Sequence, residues 1–174
     1  FQDSSGNTAM GADTLSSLTT GNYNTASGYG SLYSNTTGNS NTASGYEALY
    51  TNTTGASNTA SGYKALYTNT LGGSNTASGY TALYLNTTGS YNTASGRQAL
   101  FNNTTGGTNT AIGTKALYSN STGSGNVAIG YEAGWSETGS NKLYIANGSG
   151  SSNQLLYGDF LTGDLSLGQT SGTV

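Results

Sequence analysis

The chain of 174 residues contains no cysteine, no proline and no histidine, and it has only 4 Lys+Arg and 7 Asp+Glu. The lack of cysteine excludes disulfides and thiolate metal sites. With neither histidine nor cysteine, a serine nucleophile would lack its usual base, so we expect no catalytic residue, no cofactor and no metal. The net charge of −3 offers no basic patch for nucleic acid.

A long apolar run is also lacking. No stretch approaches the roughly 18 apolar residues of a transmembrane helix, so we expect no membrane insertion by this segment. The sequence begins at Phe1 without a signal peptide, and we interpret it as a mature chain or a fragment of a longer one. Absent cysteine and low charge are compatible with a secreted bacterial or viral surface protein, and we expect an extracellular location on a cell surface or virion.

What the chain has instead is a repeat of 17 residues whose spacing never changes. Its eight copies open at Asn7, Asn24, Asn41, Asn58, Asn75, Asn92, Asn109 and Asn126. A fixed short period without insertions means that each copy is one structural step stacked on the next. The absence of proline leaves every backbone N–H available for β ladders. We therefore predict an all-β fold, a parallel β-roll or β-solenoid with 17-residue coils.

The repeat divides the chain into three parts. Residues 1–6 form an N-terminal extension, residues 7–140 form the solenoid, and residues 141–174 form a C-terminal β segment that acts as a cap or neck. Asp159 and Asp164 lie in this last segment, and we interpret them as polar turn residues of a hairpin rather than as metal ligands.

Within each copy, counted from its opening Asn, two further positions never vary. The third is always Ala and the fifth always Gly, as in Ala60 and Gly62. Invariant Ala indicates a crowded site, and invariant Gly indicates a positive φ or a close backbone approach. A second Gly follows Asn-Thr-Thr or a close variant near the end of the copies, which predicts a turn. Each coil therefore contains two corners.

The opening asparagines form a row along the axis if the coils stack in register. The row is either an internal hydrogen-bonded ladder or a ligand-binding surface, and we favour the ladder because an unvarying row is usually structural. The candidate residues of this row are Asn24, Asn41, Asn58, Asn75, Asn92 and Asn109. A pattern of the N-glycosylation type, which we interpret as a turn, begins at Asn35, Asn52, Asn86 and Asn103.

Two apolar rows complete the candidate assembly residues. The ninth position is mostly Leu and the tenth mostly aromatic, and we interpret both as core or interface rows. Their central members are Leu49, Leu66, Leu83, Tyr50, Tyr67 and Tyr84. The variable seventh position and the small polar eleventh position are expected to face solvent. Replacement of Leu66 or Tyr67 by Asp should therefore abolish folding or assembly, whereas Lys64→Asp should be tolerated.

The stretch 63–68 permits two local structures. A strand places Lys64, Leu66 and Thr68 on one face, which mixes an apolar row with two solvent rows. A short helical turn instead groups Tyr63 with Leu66 and Tyr67. Periodicity favours the helical turn, but six residues do not decide between the two.

One motif resembles a known family. The segment 126–133, Asn-Val-Ala-Ile-Gly-Tyr-Glu-Ala, resembles the head repeat of YadA-type trimeric autotransporter adhesins, and residues 109–113 match it as well. The resemblance implies a left-handed parallel β-roll with three chains around one axis. This chain differs in its longer period of 17 and in Ser at the fourth position of most copies, which we expect to line a thin core.

The longer repeat phrase is similar to arrays in phage tail fibres and large bacterial surface proteins, which often end in a self-cleaving chaperone of the endosialidase type. Residues 140–147 and 155–160 resemble the segment that precedes such a chaperone. Together the resemblances cover roughly residues 7 to 167 and imply a fibre.

Three functions follow as hypotheses. The first is a structural and adhesive surface fibre, with an unknown cell-surface or glycan receptor for its Tyr-rich rows. The second is a self-assembling extracellular filament, built end to end from uncapped coils. The third and most remote is ice binding by the Thr row, which comprises Thr25, Thr42, Thr59, Thr76 and Thr93.

The partner we expect first is a second and third copy of the chain. A coil with two corners and few large apolar side chains encloses a thin core, which does not offset chain entropy alone. Side-by-side packing would cover the Leu and aromatic rows along their whole length. The physical argument requires association, and the adhesin resemblance implies a homotrimer.

Overall fold

The architecture is all-β. The computed structural model describes residues 2–149 and 154–168, and these residues contain no helix. The repeats contribute β1 (Thr8–Met10), β2 (Thr25–Ser27), β3 (Thr42–Ser44), β4 (Thr59–Ser61), β5 (Thr76–Ser78), β6 (Thr93–Ser95), β7 (Thr110–Ile112) and β8 (Val127–Ile129). The C-terminal segment contributes β9 (Lys142–Ala146), β10 (Gln154–Asp159) and β11 (Asp164–Leu167). The strands form one sheet in chain order.

Each repeat is one coil of a parallel solenoid. Thr42 of β3 pairs with Thr25 of β2 on one side and with Thr59 of β4 on the other, 17 residues away each time. The register is parallel and unbroken from β1 to β8. The predicted β-solenoid with one period per coil is therefore confirmed.

Only three residues of each coil are extended, and the rest of the coil is built of turns. The stretch 63–68 is neither the strand nor the helical turn that the sequence permitted. Lys64 and Leu66 have φ of 51° and 52°, whereas φ is not positive at Tyr63 and Ala65. The N–H of Lys64 donates to Tyr46 in the preceding coil, and the N–H of Leu66 donates to Ala82 in the following coil. Alternation in the sign of φ thus lets the turns bond from coil to coil.

The short strands determine which side chains lie inside. In β4, Ala60 is buried while Thr59 and Ser61 are exposed. Because successive strand residues point to opposite faces, the fourth position lies outside whenever the third lies inside. The expectation that fourth-position Ser lines the core is therefore wrong. The last coils carry Ile112 and Ile129 at this position, and both are exposed.

The core is built from two Ala columns and one Leu column. Ala60, Ala65 and Leu66 represent the third, eighth and ninth positions, and all three are fully buried within the single chain. The Leu column needs no neighbouring chain to cover it, which corrects that part of the reasoning for association. In the last coil, where Gly134 replaces Leu, a Cβ at that site would lie 2.9 Å from the Tyr144 ring and 3.1 Å from the Leu117 side chain, so these two side chains occupy the space.

Two glycine columns make the coils stack this closely. A Cβ on Gly62 would lie 2.6 Å from the carbonyl oxygen of Gly79, and φ at Gly62 is 134°. A Cβ on Gly72 would lie 2.3 Å from the carbonyl oxygen of Gly89. Both distances are too short for any side chain, so close backbone approach explains both columns, and the positive φ is a further reason at the fifth position.

The two ends of the solenoid differ. Asp3 accepts hydrogen bonds from the backbone N–H of Asn7 at 2.8 Å and from its side-chain amide at 2.9 Å, so the extension caps the first coil. At the other end β9 continues the parallel sheet, and β10 then pairs antiparallel with both β9 and β11. The predicted C-terminal hairpin is present, with Asp159 opposite Asp164. None of the described residues belongs to a helix long and apolar enough to cross a membrane.

Candidate functional site

The opening asparagines lie inside the solenoid. The backbone N–H of Asn58 donates to the side-chain oxygen of Asn41 at 3.0 Å, and the Asn58 side-chain amide donates to the Gly72 carbonyl at 2.8 Å. The same pattern recurs at Asn24, Asn41, Asn75, Asn92 and Asn109, all of them buried. The geometry is that of an internal ladder, and it leaves no outer face of this row for a ligand.

A second asparagine ladder, which the sequence analysis did not identify, runs through the twelfth position. The side chain of Asn52 donates to Asn35 at 2.8 Å, and that of Asn69 donates to Asn52 at 2.7 Å. Asn52 and Asn41 both donate to the carbonyl of Gly55, so the two ladders meet at one glycine column. The recurrence of Asn at the twelfth position was the available signal.

The asparagines of the glycosylation-type pattern belong to this second ladder. The four asparagines concerned are fully buried in the folded chain, and their side-chain amides donate to neighbouring coils or to glycine carbonyls. A glycan requires an exposed amide nitrogen. The turn interpretation therefore fits the folded solenoid better than glycosylation does for Asn35, Asn52, Asn86 and Asn103.

The tenth-position aromatic residues form a stacked ladder on the surface. Tyr50 and Tyr67 stack with their ring centroids 5.3 Å apart, and Tyr67 and Tyr84 follow at 5.2 Å. The ladder continues with near-parallel rings from Tyr33 to Trp135. Most of its rings are half-buried, so this predicted row differs from the Leu row in keeping one edge open to solvent.

A second aromatic ladder, also missed from the sequence, runs beside the first at the sixth position. Tyr46 stacks on Tyr29 at 5.4 Å and on Tyr63 at 5.3 Å, and Tyr80 follows at 5.0 Å. These four rings are exposed. Arg97 occupies the next rung, and its guanidinium lies 5.9 Å from the Tyr80 ring centroid, so a cation extends the row.

The seventh position lies between the two ladders and forms the floor of an aromatic groove. Lys64 is the clearest case: its ammonium lies 5.6 Å from the Tyr63 ring centroid and 4.9 Å from that of Tyr67, and 3.1 Å from the Glu47 carboxylate. The hydrogen bond to Glu47 raises the pKa of Lys64. The seventh position was expected to face solvent freely, and instead it is partly enclosed by rings.

Acidic residues of the floor also contact the sixth-position ladder. A hydrogen bond to the Asp13 carboxylate raises the pKa of Tyr29, and one to Glu47 raises the pKa of Tyr46. Tyr131 and Glu132 repeat the arrangement near the other end, where the hydrogen bond raises the pKa of Tyr131. The groove therefore combines ring faces, phenol hydroxyls and carboxylates along one side of the rod.

The C-terminal segment holds two further polar contacts. Tyr144 donates its hydroxyl to Glu137, and burial together with this hydrogen bond raises the pKa of Tyr144 well above its usual range. Lys142 pairs with Asp159 across β9 and β10, which lowers the pKa of Asp159. These pairs join the hairpin to the last coil. Among the described residues no group of three or more His, Cys, Asp or Glu could hold a metal ion.

The aromatic groove is thus the surface feature with the most binding chemistry. No family model, no curated protein and no solved structure matches this chain.

Proposed function

We propose that this chain is a structural and adhesive segment of an extracellular fibre, displayed on a bacterial surface or a phage tail. The observation that carries the proposal is the pair of stacked aromatic ladders along one side of the rod, as at Tyr46–Tyr63 and Tyr50–Tyr67. Large contiguous apolar patches on soluble proteins mark interaction sites. Tyr rings combine an apolar face with a polar hydroxyl, which suits contact with a glycan or a protein surface.

Adhesion is tested with matched tyrosine variants. Tyr63→Ser with Tyr80→Ser removes two exposed rings of the groove, and Tyr23→Ser with Tyr91→Ser removes two exposed rings outside it. Retention of the purified chain on glycan arrays and on host cells is then compared. We expect the groove pair to reduce retention and the outer pair to leave it unchanged. Equal retention by both pairs would reject the groove as the adhesive surface.

We further propose that the working unit is a homotrimer. Association is supported by the tenth-position ladder, which remains half-exposed in the single chain; a neighbour packed along its open edge would leave the exposed sixth-position ladder for adhesion. The threefold arrangement rests on the adhesin resemblance. Light scattering should give three times the 17.5 kDa mass of the chain. A stable monomer that keeps its β signal would reject the trimer and leave a single-chain solenoid.

A self-assembling filament is the alternative, and the C-terminal edge favours it. All four residues of β11 are exposed, including Leu165 and Leu167. A shallow apolar cavity of about 310 Å³ lies beside it, with Leu143 and Phe160 in its lining. Within the described residues β11 pairs on one side only, and such an edge is a template for another strand. Electron microscopy of the concentrated chain distinguishes polymers from discrete trimers.

Ice binding gains one supporting observation. Five consecutive strands, β2 to β6, carry Thr at the second position and Ser at the fourth, and these residues point outward in parallel register. The result is a regular array of hydroxyl groups on one face of the sheet. Thermal hysteresis of the purified chain tests this candidate, and its absence at high protein concentration rejects it.

A further inference from the structure

One rung of the groove lacks its floor. The seventh position is Gly30 in the second coil, and in all the other coils it is a residue with a side chain. A cleft of about 160 Å³ opens there, lined by Asp13, Tyr29, Gly30, Tyr33, Glu47 and Tyr50. The cleft therefore has aromatic rings of both ladders on its sides and a carboxylate in the coil before and the coil after.

The chain itself shows what such a rung accommodates. Two coils further along, the Lys64 side chain occupies the seventh position, with its ammonium 4.9 Å from the Tyr67 ring centroid and 3.1 Å from the carboxylate of the preceding coil. The empty rung at Gly30 has the equivalent rings, Tyr29 and Tyr33. Its preceding-coil carboxylate is Asp13, which forms no ion pair in the described part of the chain.

We propose that the Gly30 cleft binds an alkylammonium group, such as the lysine side chain of a partner protein. Ring faces and carboxylates both favour a cation, and an ammonium on a slender carbon chain has the shape that Lys64 already shows between these rings. An anion is disfavoured by Asp13, whose charge no ion pair offsets in the described part of the chain, whereas Glu47 is already paired with Lys64. A hard metal ion prefers several oxygen ligands close together, and the described residues contain no acidic group of that kind.

The site deepens the proposed adhesive function by naming the chemistry of the partner, and it rests on that function only for the partner's identity. Binding of a free ammonium to the purified chain does not depend on adhesion or on the location of the fibre, and it requires that the open edges of Tyr33 and Tyr50 stay uncovered when chains associate. The site and the function are therefore tested separately.

The direct test is a titration with n-butylammonium chloride at constant ionic strength, followed by the ring proton signals of Tyr29, Tyr33 and Tyr50. We expect a saturable shift with a dissociation constant on the order of millimolar, as suits one exposed ion pair and cation–π contacts. Neutral n-butanol is the matched control and should produce no saturable shift. No shift with the ammonium, or an equal shift with the alcohol, would overturn the proposal.

Two variants locate the binding. Gly30→Lys supplies the rung with an ammonium of its own and should abolish the titration. It should fold, because Lys64 and Lys115 already adopt φ of 51° and 57° at the same position. Asp13→Asn should weaken binding by roughly three- to fivefold through loss of one charge. Unchanged binding in a folded Gly30→Lys variant would place the ammonium elsewhere and overturn the site.

A last measurement separates the site from the function. The wild-type chain and Gly30→Lys are passed over a surface coated with lysine-containing peptide and over the same peptide acetylated at its lysines. Selective retention of the wild-type chain on the unmodified peptide supports the cleft as an adhesive site. If butylammonium binds in solution but neither surface retains the chain, the site stands and the lysine-bearing partner is rejected.

Discussion

Buried asparagine amides occupy much of the interior that aliphatic side chains fill in other small domains. The Asn58 side chain accepts the N–H of Asn75 at 3.0 Å and donates to the Gly72 carbonyl at 2.8 Å, so its oxygen and its nitrogen both have partners. A buried amide is compatible with stability when it is hydrogen-bonded, and it is costly when a partner is lost. Each ladder residue is therefore compatible with a stable interior only while both its oxygen and its nitrogen keep their partners.

Asn58→Asp tests the ladder at a single atom. The carboxylate cannot donate to Gly72, and it buries a charge, so the free energy of unfolding at pH 7 should fall by about 3–5 kcal/mol. Burial raises the pKa of the new Asp above its unfolded value. The loss is therefore full above the folded pKa and diminishes as pH falls through it. Urea unfolding at pH 7 and pH 4 measures both effects.

The control for this variant is Asn39→Asp on the surface. Asn39 is exposed, and its side-chain oxygen accepts the Asn22 N–H at 2.8 Å, a role that a carboxylate retains. Its effect should stay within about 0.5 kcal/mol. Equal destabilisation by the two variants would contradict the assignment of the inner ladder.

The glycine columns provide a second pair within one coil. A Cβ on Gly28 would lie 2.6 Å from the Gly45 carbonyl oxygen, whereas one on Gly30 would lie 3.3 Å from the flexible Glu47 side chain. We expect Gly28→Ala to destabilise by more than about 3 kcal/mol, and Gly30→Ala by about 1 kcal/mol for its left-handed φ. Thermal unfolding of both variants is the measurement, and a reversed order would show that backbone contact does not limit the stack.

At the scale of the coil, the sequence predicts what the period alone determines. An unbroken spacing requires one coil per copy in register, and invariant Gly requires close approach, as at Gly62. The path between corners was not predictable in the same way. Choosing between strand and helix presupposes a repeated φ, whereas φ changes sign between Ala65 and Leu66. Periodicity also does not reveal whether the side chains of a row point into the core or outward. The sequence therefore predicts Ser61 inside, where the structure has it exposed, and it does not identify Tyr63 as a ladder residue.

The rows of one coil differ in burial, which revises the expected effects of their substitution. Leu66 is fully buried, so Leu66→Asp should prevent folding, because an unpaired carboxylate in the core costs several kcal/mol. Tyr67 keeps a solvent edge, and Tyr67→Asp should give a folded but less stable chain. Circular dichroism melts of both variants distinguish these outcomes. An unfolded Tyr67→Asp would mean that the ladder is covered in solution.

Lys64→Asp is no longer expected to be silent. It removes the ion pair with Glu47 at 3.1 Å and places two carboxylates side by side, which should cost on the order of 1 kcal/mol. Lys64→Gln is the control, because Gln98 stands at the same position in another coil. The same melts compare both variants with the wild type. If both melt at the wild-type temperature, the ion pair contributes nothing to stability.

The N-terminal cap predicts a pH dependence. The side-chain hydrogen bond from Asn7 lowers the pKa of Asp3 below its usual 3.8. Its contribution to stability is therefore present above that value and is lost as pH falls through the lower folded pKa. Asp3→Ala should lower the melting temperature at pH 7, and the difference from the wild type should shrink as pH falls below 3.8. Asp13→Ala, an exposed acid outside the cap, is the control; the same loss there would indicate a general charge effect.

At the scale of the whole molecule, the solenoid is a series of nearly equal interfaces between two different ends. Coil-to-coil contacts comprise backbone hydrogen bonds, the asparagine ladders and the aromatic ladders, and all of them join nearest neighbours. The stability of such a stack is close to a sum over neighbouring coils. The interfaces differ from the others only at the two ends, where the Asp3 cap and the antiparallel strands β9 to β11 replace a neighbouring coil.

The coil-to-coil hydrogen bonds also determine how the rod bears load. They join neighbouring coils, whose paired residues are 17 apart in the sequence. Tension applied to the two chain ends therefore acts on one interface at a time, beginning at an end. Each coil that peels away releases 17 residues, and at about 3.4 Å per residue less one coil spacing this adds roughly 50 Å of length. Single-molecule pulling should therefore record successive extensions of equal length. A fibre built this way would lengthen under load one coil at a time before it breaks.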